Sequence, residues 1–244
     1  MDTPAHAAVR VLPTETTGDT AERKATVALL PVGSYEQHGP YLPLSTDTLI
    51  ACSVAERVAA SYSVQPLPPL TFSCSQEHSD WPGTVSITAA TLGAVVRDIA
   101  HSLRRAGVPG LVLVNGHGGN YVLRNVVQEA TAEGHRMALF PVAADWDEAA
   151  AAAGVETPAR SDMHAGELET SILMHTRPDC VREGYETADH ISDDRRHLHA
   201  LGLGPYTGSG VVGRPSLARA EKGDAVLASL ADAFAGHLRA LESR

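Results

Sequence analysis

Cysteine is scarce in this chain: Cys52, Cys74 and Cys180 make an odd count with no C-x-x-C spacing. Neither a disulfide framework nor a thiolate zinc site is signalled, so any metal must take nitrogen and oxygen ligands, for which 12 histidines are available. Basic residues are also in deficit, with 19 Lys and Arg against 29 Asp and Glu and a formal charge of −10. Without a concentrated basic face the chain is ill-suited to a nucleic-acid backbone. No apolar run approaches the roughly 20 residues that cross a bilayer. The opening stretch, with Asp2, Glu15 and Asp19, lacks the cationic-then-apolar order of a secretion signal. These absences predict a cytoplasmic protein with neither nucleic acid nor membrane as partner. What is present, 43% hydrophobic and 20% charged residues over 244 positions, is the composition of a soluble globule long enough for a buried core.

Residues 1–22 are polar and turn-rich without apolar periodicity, which predicts a flexible tail. No repeat or linker divides residues 23–244, which are expected to form a single domain. Thr26 to Val32 and Leu111 to Val114 are continuous apolar runs ending near glycine, the signature of strands buried on both faces. Val64 to Phe72 and Met137 to Val142 are weaker candidates, the former diluted by Pro66, Pro68 and Pro69. Between them lie helical stripes: Ile50, Val54 and Val58; Leu92, Val95, Val96, Ile99 and Leu103; Val122, Val126, Val127 and Ala130. A last stripe runs through Leu227, Leu230, Phe234, Leu238 and Leu241. Strands alternating with amphipathic helices predict an α/β fold with a mostly parallel sheet covered on both faces.

Such sheets bind ligands at the carboxyl ends of their strands, and three histidine-bearing segments fall there: Glu36-Gln37-His38, Ser75-Gln76-Glu77-His78, and Gly116-His117-Gly118-Gly119-Asn120. Glu36 and His38, two apart, share a side in extended backbone, and carboxylate beside imidazole is a common metal pair. Asp47 follows after a proline-bounded loop, where it either folds back onto that pair or caps the helix starting near Thr48. The glycine turn around His117 resembles a phosphate cradle, yet it lacks both the G-x-G-x-x-G spacing and a Walker lysine; the competing account makes its glycines clearance for His117. Farther on, Glu167 and Glu169 open a helix, where their interaction with the helix dipole is one explanation. The other is that one of them completes a metal shell while His164, at the mouth of the site, acts as acid or base.

The run from Pro31 through Glu36-Gln37-His38-Gly39-Pro40 to Asp47 strongly resembles the creatininase (creatinine amidohydrolase) family. So do the Glu77-His78 and Pro82-Gly83-Thr84 segment, the Asn115–Asn120 turn, the His164-Ala165-Gly166 to Glu169-Thr170-Ser171 segment, and Glu221-Lys222-Gly223. Together they span roughly residues 25 to 240. The resemblance implies a three-layer α/β/α sandwich holding two divalent metal ions per chain (Zn, Fe(II) or Mn), with Glu36, His38, Asp47 and His117 on ligand positions and Asp47 bridging. It departs at Gly119, where creatininase itself has a glutamate, so the fifth ligand is assigned to Glu169, with Glu167 as the alternative and otherwise grouped with His164 as a catalytic residue.

That departure argues against creatinine as substrate, as does the lack of a secure match for the aromatic lid of creatininase at Trp81 or Trp146. The implied activity is hydrolysis of a C–N amide bond, nearest to the peptide-trimming members that remove a carboxy-terminal Val-Tyr dipeptide from a modified precursor. Formamide deformylases and creatinine amidohydrolase are the alternatives. The resemblance also implies a homo-oligomer. Ser75, Glu77, His78, Trp81, Gly118 and Asn120 are expected to bind the small-molecule or peptide substrate, although His78 and Trp81 could equally pin their loop. Two rivals are weighed against this reading: a Cys74 hydrolase, which lacks an activated thiolate, and a non-enzymatic nucleotide- or metal-binding module built on the glycine turn.

Overall fold

Six consecutive apolar residues, Val27–Val32, are all buried and form the first strand, β1, because a strand covered on both faces has no solvent side for polar residues. The structure, a computed structural model, describes residues 9–243. Its other strands are β2 (Gln65–Pro66), β3 (Gly110–Asn115) and β4 (Arg136–Phe140). They pair in parallel in the order β2-β1-β3-β4. The register of β1 with β3 runs from Val27 opposite Gly110 to Val32 opposite Asn115, so these two central strands end side by side. The helices are α1 (Thr17–Arg23), α2 (Thr46–Ser61), α3 (Ala89–Arg105), α4 (Val122–Ala132), α5 (Ala143–Ala152), α6 (Glu167–Thr176), α7 (Leu198–Leu201) and α8 (Ala220–Glu242).

Alternation along the strands divides the core in two. Ala28, Leu30 and Val32, with Leu111 and Leu113, meet the stripes of α3 and α4 at Leu92, Val96, Leu123 and Val126. Val27 and Leu29, with Val112 and Val114, face α2, α6 and α8 on the other side. The result is the expected three-layer α/β/α sandwich. Tight approach between α6 and α8 is set by Gly223: a Cβ there would collide with the carbonyl of Ser171, so no larger residue fits the crossing. No described helix is long and apolar enough to span a membrane.

Two expectations need correction, and one helix was not foreseen. Val64 to Phe72 pairs only at Gln65–Pro66, plus one bridge from Leu70 to Val32, because Pro66, Pro68 and Pro69 cannot donate to a ladder. The polar stretch expected as a tail is ordered where described. There, Thr16 and Asp19 close a capping box on α1, Arg23 donates to Val64 O at 3.2 Å, and Val9 packs into the core; residues 1–8 of that stretch lie outside the described residues. Finally, α5 was not anticipated, since its alanine-rich sequence carries no apolar stripe.

Phe234 of α8 is fully buried, with its ring edge-on to Phe140 at 5.2 Å and to Tyr62 at 5.1 Å. Phe234→Ala is expected to lower the unfolding free energy by about 3–5 kcal/mol in urea titrations. Leu12→Ala, at a side chain 63% exposed, should change it by less than about 0.5 kcal/mol. Equal effects at the two positions would contradict the packing described.

Candidate metal centre

The loop after β1 returns Glu36 and His38 beneath the start of α2, where Asp47 sits in the first turn. Asp47 does not cap that helix. Its Oδ1 lies 3.0 Å from His38 Nε2 and its Oδ2 lies 2.9 Å from His117 Nδ1, while Oδ2 also accepts from Ser34 Oγ at 2.7 Å. One carboxylate thus spans two imidazoles that arrive from different strands. Glu36 completes the floor, with His78 Nε2 3.1 Å from Oε1 and His117 Nε2 3.2 Å from Oε2. Both Glu36 oxygens are fully buried and have only these imidazoles close by, short of the hydrogen bonds a buried carboxylate usually collects, a costly arrangement unless a cation is to be held there.

The histidines are oriented from behind. His38 Nδ1 donates to Glu36 O, His117 Nε2 to Cys74 O, and His164 Nε2 to Gln37 O, so the other ring nitrogen of each is turned toward the carboxylates. This is the tautomer control expected of metal-ligating imidazoles. Three sets of ligand atoms lie within 4.8 Å of one another: Glu36, Asp47 and His117; His38, His164 and Glu169; Glu36, His78 and His164. The donor set, carboxylate oxygen with imidazole nitrogen, fits a divalent cation such as Zn, Mn or Fe(II).

The electrostatics express the same crowding of charge. Burial would lower the pKa of His38 and His117, but Asp47 and Glu169 for the first, and Glu36 and Asp47 for the second, outweigh it and raise them to about 9 and about 10. Burial alone would raise Asp47; His38 and His117 instead hold it well below the carboxylate range. Glu36 and Glu169 are raised, chiefly by burial. His164 stays neutral, depressed by burial and by His38 and His78.

Glu169 reaches the cluster from α6, its Oε2 3.9 Å from His38 Nε2. It is steered there by Ala165, a non-glycine residue at φ 50° whose N–H donates to Glu169 Oε2 at 2.6 Å and whose carbonyl accepts from the Tyr41 hydroxyl. Left-handed backbone of this kind costs on the order of 1 kcal/mol or more and clusters at functional sites. Asp162 fixes the helix start by accepting from the N–H groups of Glu167 and Leu168 at 2.7 and 2.8 Å.

Glu167 is not in the site. Its buried carboxylate accepts from Thr157 N and Oγ1 at 2.8 and 2.6 Å, from Glu156 N, and from Lys222 Nζ at 2.6 Å. Two residues along a helix point to different faces, so only one of the two glutamates can reach His38. His164, expected at the mouth, is buried on the floor, its ring 4.1 Å from that of His38 and 4.3 Å from that of His78.

A cavity of about 640 Å³ opens over this floor. Of the expected substrate contacts, Glu77, His78 and Gly118 line it; Ser75, Trp81 and Asn120 do not. Ser75 is sealed beneath the surface, and Trp81 packs against His78 with ring centroids 6.4 Å apart. Asn120 is consumed as a clamp, accepting from Cys74 N and donating to Gly33 O and Asn115 Oδ1. His78 is fixed as the Nε2–H tautomer, because Gln37 Nε2 donates to its Nδ1 at 3.0 Å. It remains neutral, with burial and the charges of His117 and His38 lowering its pKa to about 3. Sequence reasoning missed the rim: Tyr121, Arg160, Met163, Arg195 and His199. The only signal for it was the Asp193-Asp194-Arg195-Arg196 charge cluster.

Neither rival keeps its support. The glycine turn serves clearance: a Cβ at position 119 would collide with Glu77 Oε1 and His117 Nε2. The N–H groups of Asn120 and Tyr121 are already donated within the turn, leaving a poor phosphate cradle. Cys74 is buried, with its thiol pKa raised by burial and by Glu77, the opposite of an activated thiolate.

Residues 14–238 match the creatininase family, described as creatinine amidohydrolase. A protein of Mycobacterium ulcerans named mycofactocin precursor peptide peptidase is 36% identical, over 84% of this chain and 81% of its own length. A creatinine amidohydrolase of Pseudomonas putida is 32% identical, over 64% of this chain and 66% of its own. A solved creatinine amidohydrolase superposes with a TM-score of 0.75 at 27% identity, covering 93% of this chain and 96% of the other. Two further structures, described as creatininase Mn and as the Zn-Zn type of a creatininase mutant, each match with TM-score 0.73 at 26% identity over 94% of this chain and 97% of theirs.

The two α6 glutamates should separate experimentally. Burial would raise the Glu167 pKa, but Lys222, Thr157 and the Glu156 N–H outweigh it and hold it below the ordinary 4.5, so its stabilisation is complete above that pH and is lost as pH falls through the depressed value. Glu167→Gln is expected to cost about 1–3 kcal/mol in urea unfolding near pH 7, with the gap to wild type shrinking below pH 4.5, and to leave bound metal unchanged. Glu169→Gln should lower metal content without that stability loss. The reverse pattern would exchange the two assignments.

Proposed function

Because the chain belongs to the creatininase (creatinine amidohydrolase) family and is a hydrolase, we propose that it is a dinuclear metal-dependent peptidase that removes a carboxy-terminal Val-Tyr dipeptide from the mycofactocin precursor peptide. The observation that carries the hydrolytic reading is the convergence of Glu36, His38, Asp47, His117 and Glu169, with the Glu36 oxygens buried among imidazoles. Glu36, Asp47 and His117 would hold one cation, and His38 with Glu169 the other, Asp47 being shared. When bound, such ions supply the Lewis acidity that polarises an amide carbonyl and makes water nucleophilic near neutral pH. The forms of creatininase described with Mn and with Zn-Zn support this.

The remaining work falls to the protein's own groups. Neutral His164, its Nε2 proton committed to Gln37 O, keeps Nδ1 free to take a proton and deliver it to the departing amine, which amide cleavage requires. His78 presents its Nε2 proton toward Glu36 and restrains that carboxylate. The peptide substrate is supported by the relatives named for it and by an open cavity of about 640 Å³. A second reading, hydrolysis of a small cyclic amide or formamide, is favoured by the Pseudomonas putida relative.

Metal-loaded protein is expected to release a dipeptide from peptides ending in Val-Tyr, seen by mass spectrometry, in a panel that includes creatinine and formamides. Asp47→Ala should lose metal and activity together. His164→Gln should retain metal and lose about 10²- to 10⁴-fold in turnover; loss of metal from this variant would make His164 a ligand instead. Full activity in chelator-treated, metal-free protein would overturn the proposal.

A further inference from the structure

The rim of the cavity gathers three arginines beside Asp193 and Asp194, in a chain with a formal charge of −10. Arg160, Arg195 and Arg196 all line it. Arg196 is neutralised by a bidentate pair with Asp194 at 2.8 and 2.9 Å. Arg195 has no such partner. Its Nη1 donates to Ser192 O and its Nη2 to Arg160 O at 2.7 Å, both neutral carbonyls, and among the described residues no carboxylate lies within ion-pair distance of it. Nearby Asp193 accepts from the Ser161 hydroxyl at 2.8 Å. Arg160 likewise donates only to a carbonyl, Asp193 O. Two guanidinium groups, one of them half-buried, therefore stand together over the cavity with spare donors, and burial, with Arg160, lowers the pKa of Arg195 against the opposing charge of Asp193. A guanidinium fork matches a carboxylate in a bidentate fashion.

We propose that Arg195, with Arg160 beside it, binds the free α-carboxylate at the carboxy terminus of the substrate and so makes the enzyme a dipeptide-releasing exopeptidase. The inference rests on the peptidase reading above. A carboxylate two residues beyond the cleaved amide lies roughly 7 Å from it, the scale of a cavity of this volume. Anchoring the chain end at the rim sets which amide reaches the floor, so Arg195 measures substrate length from its terminus.

The test uses the metal-loaded enzyme and two peptides that differ only in ending as a free acid or a primary amide. Wild type is expected to favour the acid in kcat/KM by about tenfold to a hundredfold, the range for a hydrogen-bonded charge pair. Arg195→Gln should bring that ratio close to one at unchanged metal content, and Arg195→Lys should restore part of it. Equal cleavage of acid and amide by wild type overturns the anchor even if no variant folds, as does an equal fall for both peptides in Arg195→Gln. Hydrolysis of formamides with no cleavage of either peptide overturns the peptidase reading itself, and the anchor with it, a result distinct from indifference to the terminus.

Discussion

Everything in this fold is arranged around one electrostatic constraint: Glu36 and Asp47 bring carboxylates into a region from which water is excluded, and buried charge must be compensated. The compensation available from the chain is incomplete. Asp47 is embraced by His38, His117 and Ser34, whereas Glu36 has only the imidazoles of His78 and His117 at contact distance. Backbone carbonyls hold three imidazoles around these carboxylates, His38 through Nδ1 and His117 and His164 through Nε2, and the resulting donor set fits a divalent cation.

The sheet makes such a centre affordable. β1 and β3 are neighbours in register, so the loops that follow them open at the same level and bring Glu36, His38 and His117 together without a long excursion of chain. The third contribution, Glu169, comes from outside the sheet. It depends on α6, held at its start by Asp162, at its flank by Glu167 and Lys222, and against α8 through Gly223. The sheet therefore carries Glu36, His38 and His117 at its strand ends, while helices on one face deliver Asp47 and Glu169.

How much of this could be read from the sequence follows from the range of the interactions. β1 and β3 were legible because a strand buried on both faces leaves an unbroken apolar run, and α3, α4 and α8 because each has a stripe. β2 was overestimated because its prolines leave pairing at two residues only, and α5 was missed because alanine marks no face. Glu36, His38, Asp47 and His117 stood in short motifs at strand ends, and the structure brings them into one cluster. Glu167 and Glu169 could not be separated by inspection: the choice is made by Thr157 and Lys222, distant in the chain. Ser75, Trp81 and Asn120 looked equally suited to a ligand, but their burial and partners are tertiary facts. The arginine rim lies in a loop whose charge cluster carries no motif.

Glycine at 119 and glutamate at 77 occupy each other's space, since a side chain on the first would run into the carboxylate of the second. The two positions are therefore yoked. With this backbone, a side chain on the turn would reach its place only by swinging the Glu77 carboxylate and the His117 ring aside, so its arrival would reshape the wall of the cavity that those two groups form.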